Sequence, residues 1–318
     1  MRRFLFFCII VLSGWLGVSS EAAAAEERLI AVIMANSLQR YQDIHAVFVK
    51  NSHSFCGKKC RIYVQSPNPD VMSLRNSVRK AIALGAELIV TYGPAASLAA
   101  KAEAPSIPTL FADVYDPVQL ELVSAKTKTG RNMTGIRGDA PVQALFKYFT
   151  EATKAQNLVV LYDTDSPEGL LQKNTLEKSG KKKGVAITSL PVNSPIDHIS
   201  PLKDLPADTA GVFLACSEHA DSQLSHVLDF TSARKLPVIT QRAGAAELGA
   251  FMVLETSAEE QGEKLAEMAD KVLSGIKTDD IPMYKPRRVA FVINLKMAKE
   301  FGIQVPFQTL SVASRIVR

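Results

Sequence analysis

The sequence predicts an α/β protein built as two successive, doubly wound parallel sheets. Three observations carry this expectation. Apolar runs of about five residues recur along the chain, and most are followed by a stretch with helical apolar spacing. These strand–helix pairs fall into two sets, and alternation of this kind is the pattern of a parallel sheet. A polar, glycine-rich segment, KTKTGRNMTGIRGDAPV, separates the sets, and 318 residues are enough for two medium domains.

The chain opens MRRFLFFCIIVLSGWLGVSSEAAAAEE. A basic start, an apolar core from Phe4 to Val18 and a small-residue exit read as a secretory signal peptide over residues 1–25. The apolar core is short for a membrane span, which is the competing reading. Cys8 lies deep in the core, so the usual lipoprotein arrangement is absent, and the mature chain is expected in the periplasm. Removing residues 1–25 takes away two Arg and one Glu, and the formal charge falls from +5 to +4. So small an excess gives no reason to expect a nucleic-acid partner.

Leu29 to Met34 (LIAVIM) reads as a buried parallel strand ending in the small polar residues Asn36 and Ser37. A helix is expected over 38–50, then a strand over Arg61–Gln65 and a helix over Asp70–Leu84 with Val71, Leu74, Val78 and Ile82 on one face. Gly85 stops it. The third strand, 88–91, runs into Thr91-Tyr92-Gly93-Pro94, where a helix to Ala104 begins at once. Pro at a helix's first turn forfeits no intrahelical bond, and the amides after it, from Ala95 onward, form a receptor for an anionic group. A tight strand-to-helix joint with no ligand explains the same residues. Pro108–Ala112 is the fourth strand and leads to Asp113, Tyr115 and Asp116. In open α/β sheets the carboxyl ends of the strands hold the ligand.

The second set comprises a helix over 141–153, strand 158–162, the acidic loop DTDSPEG from Asp163, helix 167–179, strand 185–190 and a short helix near 196–203. Strand 211–215, helix 218–233 and strand 237–240 follow. Lys181-Lys182-Lys183 reads as a solvated loop. A strand over 249–254, a long amphipathic helix over 258–273, extended pieces over 284–293 and a helix over 294–301 capped by Asn294 complete the chain.

Cys56 and Cys60 are close in sequence, and in an oxidising compartment a disulfide between them is expected over a zinc site, which would need a second Cys or His pair. Cys216 reads as a buried small hydrophobe. His198, His219 and His226 have no recognised metal spacing, and no dinucleotide or P-loop fingerprint is present, so neither cofactor nor metal is expected. No nucleophile–base–orienter set is visible, which argues against an enzyme.

Five pieces then bear on a family: ELIVTYGPAASLAA, IPTLFADVYDPV, NMTGI, SAEEQGEKLAEMADKVLSG and VAFVINLKMAKEFGIQVP. Together they resemble the ABC-transporter substrate-binding protein family that has tryptophan- and tyrosine-binding members, over about residues 28–306. The resemblance implies a type I periplasmic-binding fold with three chain crossings in its hinge. It divides the chain into a first lobe of 27–120 plus 242–278 and a second of 121–241 plus 279–318. It also implies a cleft lined by Asn36, Ser37, Thr91, Tyr92, Gly93, Pro94, Ala95, Asp113, Tyr115 and Asp116 on one side. Asp163, Ser217 and Glu218 lie on the other, with Glu255 near a crossing.

The implied function is a periplasmic receptor that hands a small carboxylate-bearing solute, an amino acid and an aromatic one if the relatives are followed, to an inner-membrane ABC permease. A monomer is expected. A sensor presenting the solute to a signalling receptor is the alternative. The ligand carboxylate would sit over the amides after Gly93 and its ammonium against Asp116 or Glu218, with Tyr92 or Tyr115 stacking on the side chain or, equally, packing between lobes. Three features depart from the family pattern: the Cys56–Cys60 insert, the bulky NSLQRY loop, whose Arg40 would favour a more anionic ligand, and the charged 163–169 loop.

Overall fold

The computed structural model describes residues 27–56, 59–124, 132–194 and 196–318. The expected signal peptide lies outside them. Among the described residues no helix is long and apolar enough to cross a membrane.

The first sheet is parallel throughout. Its strands are β1 (Arg28–Met34), β2 (Cys60–Gln65), β3 (Leu88–Tyr92), β4 (Thr109–Val114) and β5 (Met133–Arg137), in the order β2-β1-β3-β4-β5. Leu29 to Met34 and Leu88 to Tyr92 are buried, as expected for parallel strands covered on both faces. Helices α1 (Gln39–Ser52), α2 (Val71–Ala83) and α3 (Pro94–Glu103) alternate with these strands. Asp70 caps α2 by accepting a 2.8 Å hydrogen bond from the Ser73 amide.

The second sheet has seven strands, with β12-β11-β10-β9-β8-β6-β7 as their order. They are β6 (Asn157–Asp163), β7 (Ala186–Val192), β8 (Val212–Leu214), β9 (Val238–Thr240), β10 (Met252–Thr256), β11 (Val289–Asn294) and β12 (Arg315–Val317). Only the β10–β11 pair is antiparallel among these. The helices of this lobe are α4 (Val142–Thr153), α5 (Pro167–Lys183), α6 (Glu218–Ser232) and α7 (Ala245–Leu248). The last of the set are α9 (Leu295–Phe301) and α10 (Phe307–Ser311). Its core lies on both sheet faces, with Phe146, Phe149 and Phe251 on one and Leu161, Leu224 and Val253 on the other.

Helix α8 (Ala258–Leu273) returns to the first lobe and packs along α1. Leu265, Ala266, Ala269 and Val272 join the first core. Strand pairing draws the lobes differently from the expected boundaries at three places. Residues 133–137, expected in the second lobe, form an edge strand of the first sheet, because Met133, Thr134 and Ile136 bury their side chains there. Residues 279–284 also stay with the first lobe, where Tyr284 pairs with Ile136 and Thr134 donates to the Ile281 carbonyl at 2.9 Å. Residues 245–256, expected in the first lobe, build α7 and β10 of the second. The chain thus crosses between lobes at 138–141, at Ser257 and at 285–288.

Other local differences have simple causes. Lys181, Lys182 and Lys183 form the last turn of α5 rather than a loop, where cations suit the helix's negative end, and Gly184 follows in the left-handed conformation. Cys56 and Cys60 form a disulfide bridging the end of α1 to the start of β2.

Candidate functional site

A cavity of about 630 Å³ lies between the lobes at the carboxyl ends of the strands. Helix starts surround it: Leu38, Arg40 and Tyr41 from α1, Asp70 and Val71 from α2, and Pro94 and Ala95 from α3. Opposite stand Ser166, Pro167 and Glu168 of α5 and Ser217 and His219 of α6. Each of these starts directs backbone N–H groups without intrahelical acceptors, and the positive end of a helix dipole, toward the space between the lobes.

The joint before α3 is built around Tyr41. Gly93 has φ +85°, and a Cβ there would lie 2.2 Å from the Tyr41 hydroxyl oxygen. Gly93 therefore lets the backbone bend and makes room for the ring that lines the cavity. Thr91 is buried and shares a 2.9 Å hydrogen bond with Ser97, whose hydroxyl also donates to the Gly93 carbonyl at 2.7 Å. These bonds hold the joint from beneath, so Thr91 acts as its support and does not reach the cavity.

Arg40 is the first lobe's charged anchor. Its Nε and Nη2 donate to the two oxygens of Asp113 at 2.6 and 2.7 Å, a bidentate pair, and its Nη1 donates to the Thr256 carbonyl at 3.2 Å. Nη2 also reaches the Thr256 hydroxyl. Burial pulls the guanidinium pKa down, but the charge and hydrogen bond of Asp113 more than offset this, and it stands above its ordinary value. Asp113 has φ +55° and is fixed further by Gln261, which donates to its carboxylate at 3.1 Å and accepts from its amide at 3.0 Å. Gly138, in the first crossing, has no side chain because a Cβ would meet the Asp113 carboxylate at 2.5 Å.

In the second lobe, Asp163 ends β6, is 5% exposed and lines the cavity. Its carboxylate accepts from the Ser217 hydroxyl and lies 3.0 Å from His198 Nε2. Burial pushes Asp163 upward; the His198 and Ser217 contacts outweigh that, and its carboxyl titrates below its ordinary value. Ser217 in turn caps α6 by accepting from the Ala220 amide at 2.8 Å. Arg242 pairs with Asp221 on the same wall. Burial pushes the Cys216 thiol up to about 12, so this cavity-lining sulfur is protonated at neutral pH and is a poor nucleophile.

Of the residues the sequence proposed, Pro94, Ala95, Asp113, Asp163 and Ser217 line the cavity. Others fall elsewhere. Asn36 accepts from the Leu38 amide at 2.9 Å and shapes the entry to α1, and Ser37 beside it is exposed. Tyr92 is fully buried in the first core, its ring 6.3 Å from that of Tyr41 and its hydroxyl 3.2 Å from His45 Nδ1. It cannot stack on a ligand, because its ring is enclosed beneath α1 by Tyr41 and His45. Tyr115 is 8% exposed, and its hydroxyl approaches Thr175 of α5 across the lobes. Asp116 accepts from the Gln119 amide at 3.2 Å in a local turn and does not border the cavity. Glu218 starts α6, and its side chain lies outside the described residues. Glu255 borders a separate hollow at the hinge, where it accepts from the Gly244 amide at 3.0 Å and pairs with Arg315.

Sequence reasoning missed Tyr41, Glu168, Asp221 and Arg242 as lining residues. The position of Tyr41 one turn into α1 was the only available signal for it, whereas the others depend on how the lobes face each other.

A model of the ABC transporter substrate binding protein family matches residues 51–317. The chain belongs to this family. It is 22% identical over 249 residues to a tyrosine-binding protein of Clostridioides difficile (strain R20291), covering 78% of this chain and 72% of that one. A domain from Streptococcus pneumonia in complex with L-Trp superposes with a TM-score of 0.84 at 20% identity, over 91% of this chain and 100% of the other. The ligand-free, open structure of an adhesive substrate-binding protein from Clostridium difficile gives 0.71 at 21%, over 92% and 99%. At these identities the superpositions establish a shared fold. The family is one of solute-binding components of ABC transporters, and its fold is the type I periplasmic-binding fold.

Proposed function

We propose that this protein captures a free amino acid, with an aromatic or otherwise apolar side chain, in the interlobe cavity and delivers it to an inner-membrane ABC permease from the periplasm. The observation that carries this reading is the charge pattern of the cavity. Three guanidinium groups (Arg40, Arg75, Arg242) face six carboxylates (Asp70, Asp113, Asp163, Asp165, Glu168, Asp221), and helix N-termini open beside them. A simple anion would meet that surplus of negative charge unfavourably. A zwitterion suits both features: its carboxylate lies over the amides of Ala95 and Ala96 and its ammonium among the second lobe's carboxylates. Arg40 does not call for a more anionic ligand, because Asp113 already holds it.

Leu38, Tyr41, Leu74, Leu98 and Ala99 supply an apolar part of the wall for the side chain, with the Tyr41 ring in the place expected of Tyr92 or Tyr115. The relatives named for tyrosine and complexed with L-Trp support the aromatic class.

The test is a thermal-shift screen of the mature protein, purified under denaturing conditions and refolded to remove endogenous solute. The twenty L-amino acids, common sugars and small dicarboxylates are compared. One or more L-amino acids are expected to raise Tm by several degrees when present far above Kd. Stabilisation by sugars or dicarboxylates alone would refute the proposal.

A further inference from the structure

We infer that His198 is a positioning residue for the ligand's ammonium group, acting through Asp163. This rests on the amino-acid reading above and adds which carboxylate receives the ammonium and what orients it.

His198 lies in the loop after β7 and is 1% exposed. Strands β6 and β7 pair so that Asp163 stands opposite Val192, which brings this loop behind the end of β6. Asp197 pins the turn around His198 by accepting from the amides of Ile199 at 3.2 Å and Ser200 at 2.9 Å. The imidazole Nε2 then stands 3.0 Å from Asp163 Oδ1, a close polar contact rather than an aligned hydrogen bond, and among the described residues neither ring nitrogen has a hydrogen-bond partner. Burying an imidazole costs free energy that an apolar side chain in the same place would avoid, so its single contact with a cavity-lining carboxylate calls for an explanation beyond packing.

The geometry supplies one. Ser217 donates to Asp163 Oδ2, and Ser217 is itself held by the Ala220 amide. Asp163 is thus bonded at one oxygen by Ser217 and approached at the other by the His198 ring, both from behind the wall. A carboxylate has about four lone-pair positions, and these contacts engage at most two, which leaves acceptor capacity toward the cavity. Asp113 is engaged by Arg40 and Asp221 by Arg242, while among the described residues Asp163 has no guanidinium partner. It is the most enclosed of the described carboxylates lining the cavity, at 5% exposed. His198 fixes its plane so that the remaining lone pairs face the ligand.

The experiment measures, by titration calorimetry, each L-amino acid that binds the wild type and the same molecule lacking its α-amino group. Wild type is expected to prefer the amino-bearing form by about 10- to 100-fold, the scale of a hydrogen bond to a charged group. H198A is expected to lose about tenfold of that preference while its affinity for the deaminated acid stays within about twofold, and D163N to lose nearly all of it. H198Q, which retains an N–H donor, is expected to recover part. H198L fills the space without a donor and decides the question if H198A does not fold. Equal losses for both probes, or an unchanged preference, would overturn the assignment alone. Failure of the wild type to bind any of the twenty L-amino acids would overturn the amino-acid reading itself.

Discussion

The two walls of the cleft are built from similar parts and finished differently. The first-lobe wall is internally neutralised: Arg40 and Asp113 bind each other, Gln261 and Thr256 fix them, and the wall presents a helix start and the Tyr41 ring. The second-lobe wall keeps Asp163 apart from any guanidinium and supports it from behind with His198 and Ser217. One wall has its charges satisfied before a ligand arrives, and the other holds charge for the ligand to satisfy. On the proposed amino-acid reading, the fixed wall takes the carboxylate and side chain, and discrimination against analogues lacking the ammonium belongs to the other.

The largest effect should come from breaking the first wall's ion pair. Arg40→Ala leaves Asp113 largely buried beside Gln261 with no counter-charge, and about 3–5 kcal/mol of stability should be lost in urea denaturation. Adding Asp113→Asn should recover part of that loss. If the single variant is as stable as wild type, the wall does not depend on this pair.

Gly93→Ala comes next, at about 1–3 kcal/mol, because it forces a Cβ against the Tyr41 hydroxyl at a positive φ. Ligand affinity should fall with it in calorimetry, whereas Gly184→Ala, with open space around its Cβ, should leave affinity unchanged.

Glu260 tests the hinge that joins the walls. Its carboxylate accepts from the Tyr284 hydroxyl at 2.8 Å, from the Arg287 amide at 3.1 Å and from the Arg288 amide at 2.8 Å, tying α8 to the third crossing. Burial raises its pKa, the backbone and Tyr284 hydrogen bonds outweigh that, and the result is a value lowered from 4.5. A lowered carboxyl pKa stabilises the folded state above the unfolded-state value, and that contribution is lost as pH falls below about 4.5 through the folded value. Glu260→Gln should cost about 1–2 kcal/mol at pH 7 and flatten the acid limb of a Tm-against-pH curve.

The smallest effect belongs to the strut between the walls. Tyr115→Phe removes the hydroxyl that approaches Thr175, and closure should weaken by about 1 kcal/mol at most, a few-fold in Kd with little change in Tm. An unchanged Kd would show that this contact does not contribute to the closed state.

Much of the scaffold was legible from single stretches. LIAVIM, a continuous apolar run, and the 258–273 helix, with its helical apolar period, show their structure without reference to anything distant. So does the Gly93-Pro94 joint, because backbone geometry and the missing proline N–H act locally. The strand at Met133–Arg137 was not legible, since its glycine- and threonine-bearing sequence reads as a turn until the edge of β4 pairs with it. Asp116 was misplaced because a turn that bonds its own backbone looks, in sequence, like an acid offered to a ligand.

The sequence by itself determined the strand–helix alternation, the caps and the strand-end loops from which a ligand site is drawn, since these follow from short-range sterics and hydrogen bonding. Only the tertiary structure decided which charges meet. Arg40 finds Asp113 across 73 residues and His198 finds Asp163 across 35, and both pairings depend on the order of strands within one lobe's sheet. An ion pair's effect on a site is set by distance and burial, and neither quantity exists until the chain has folded.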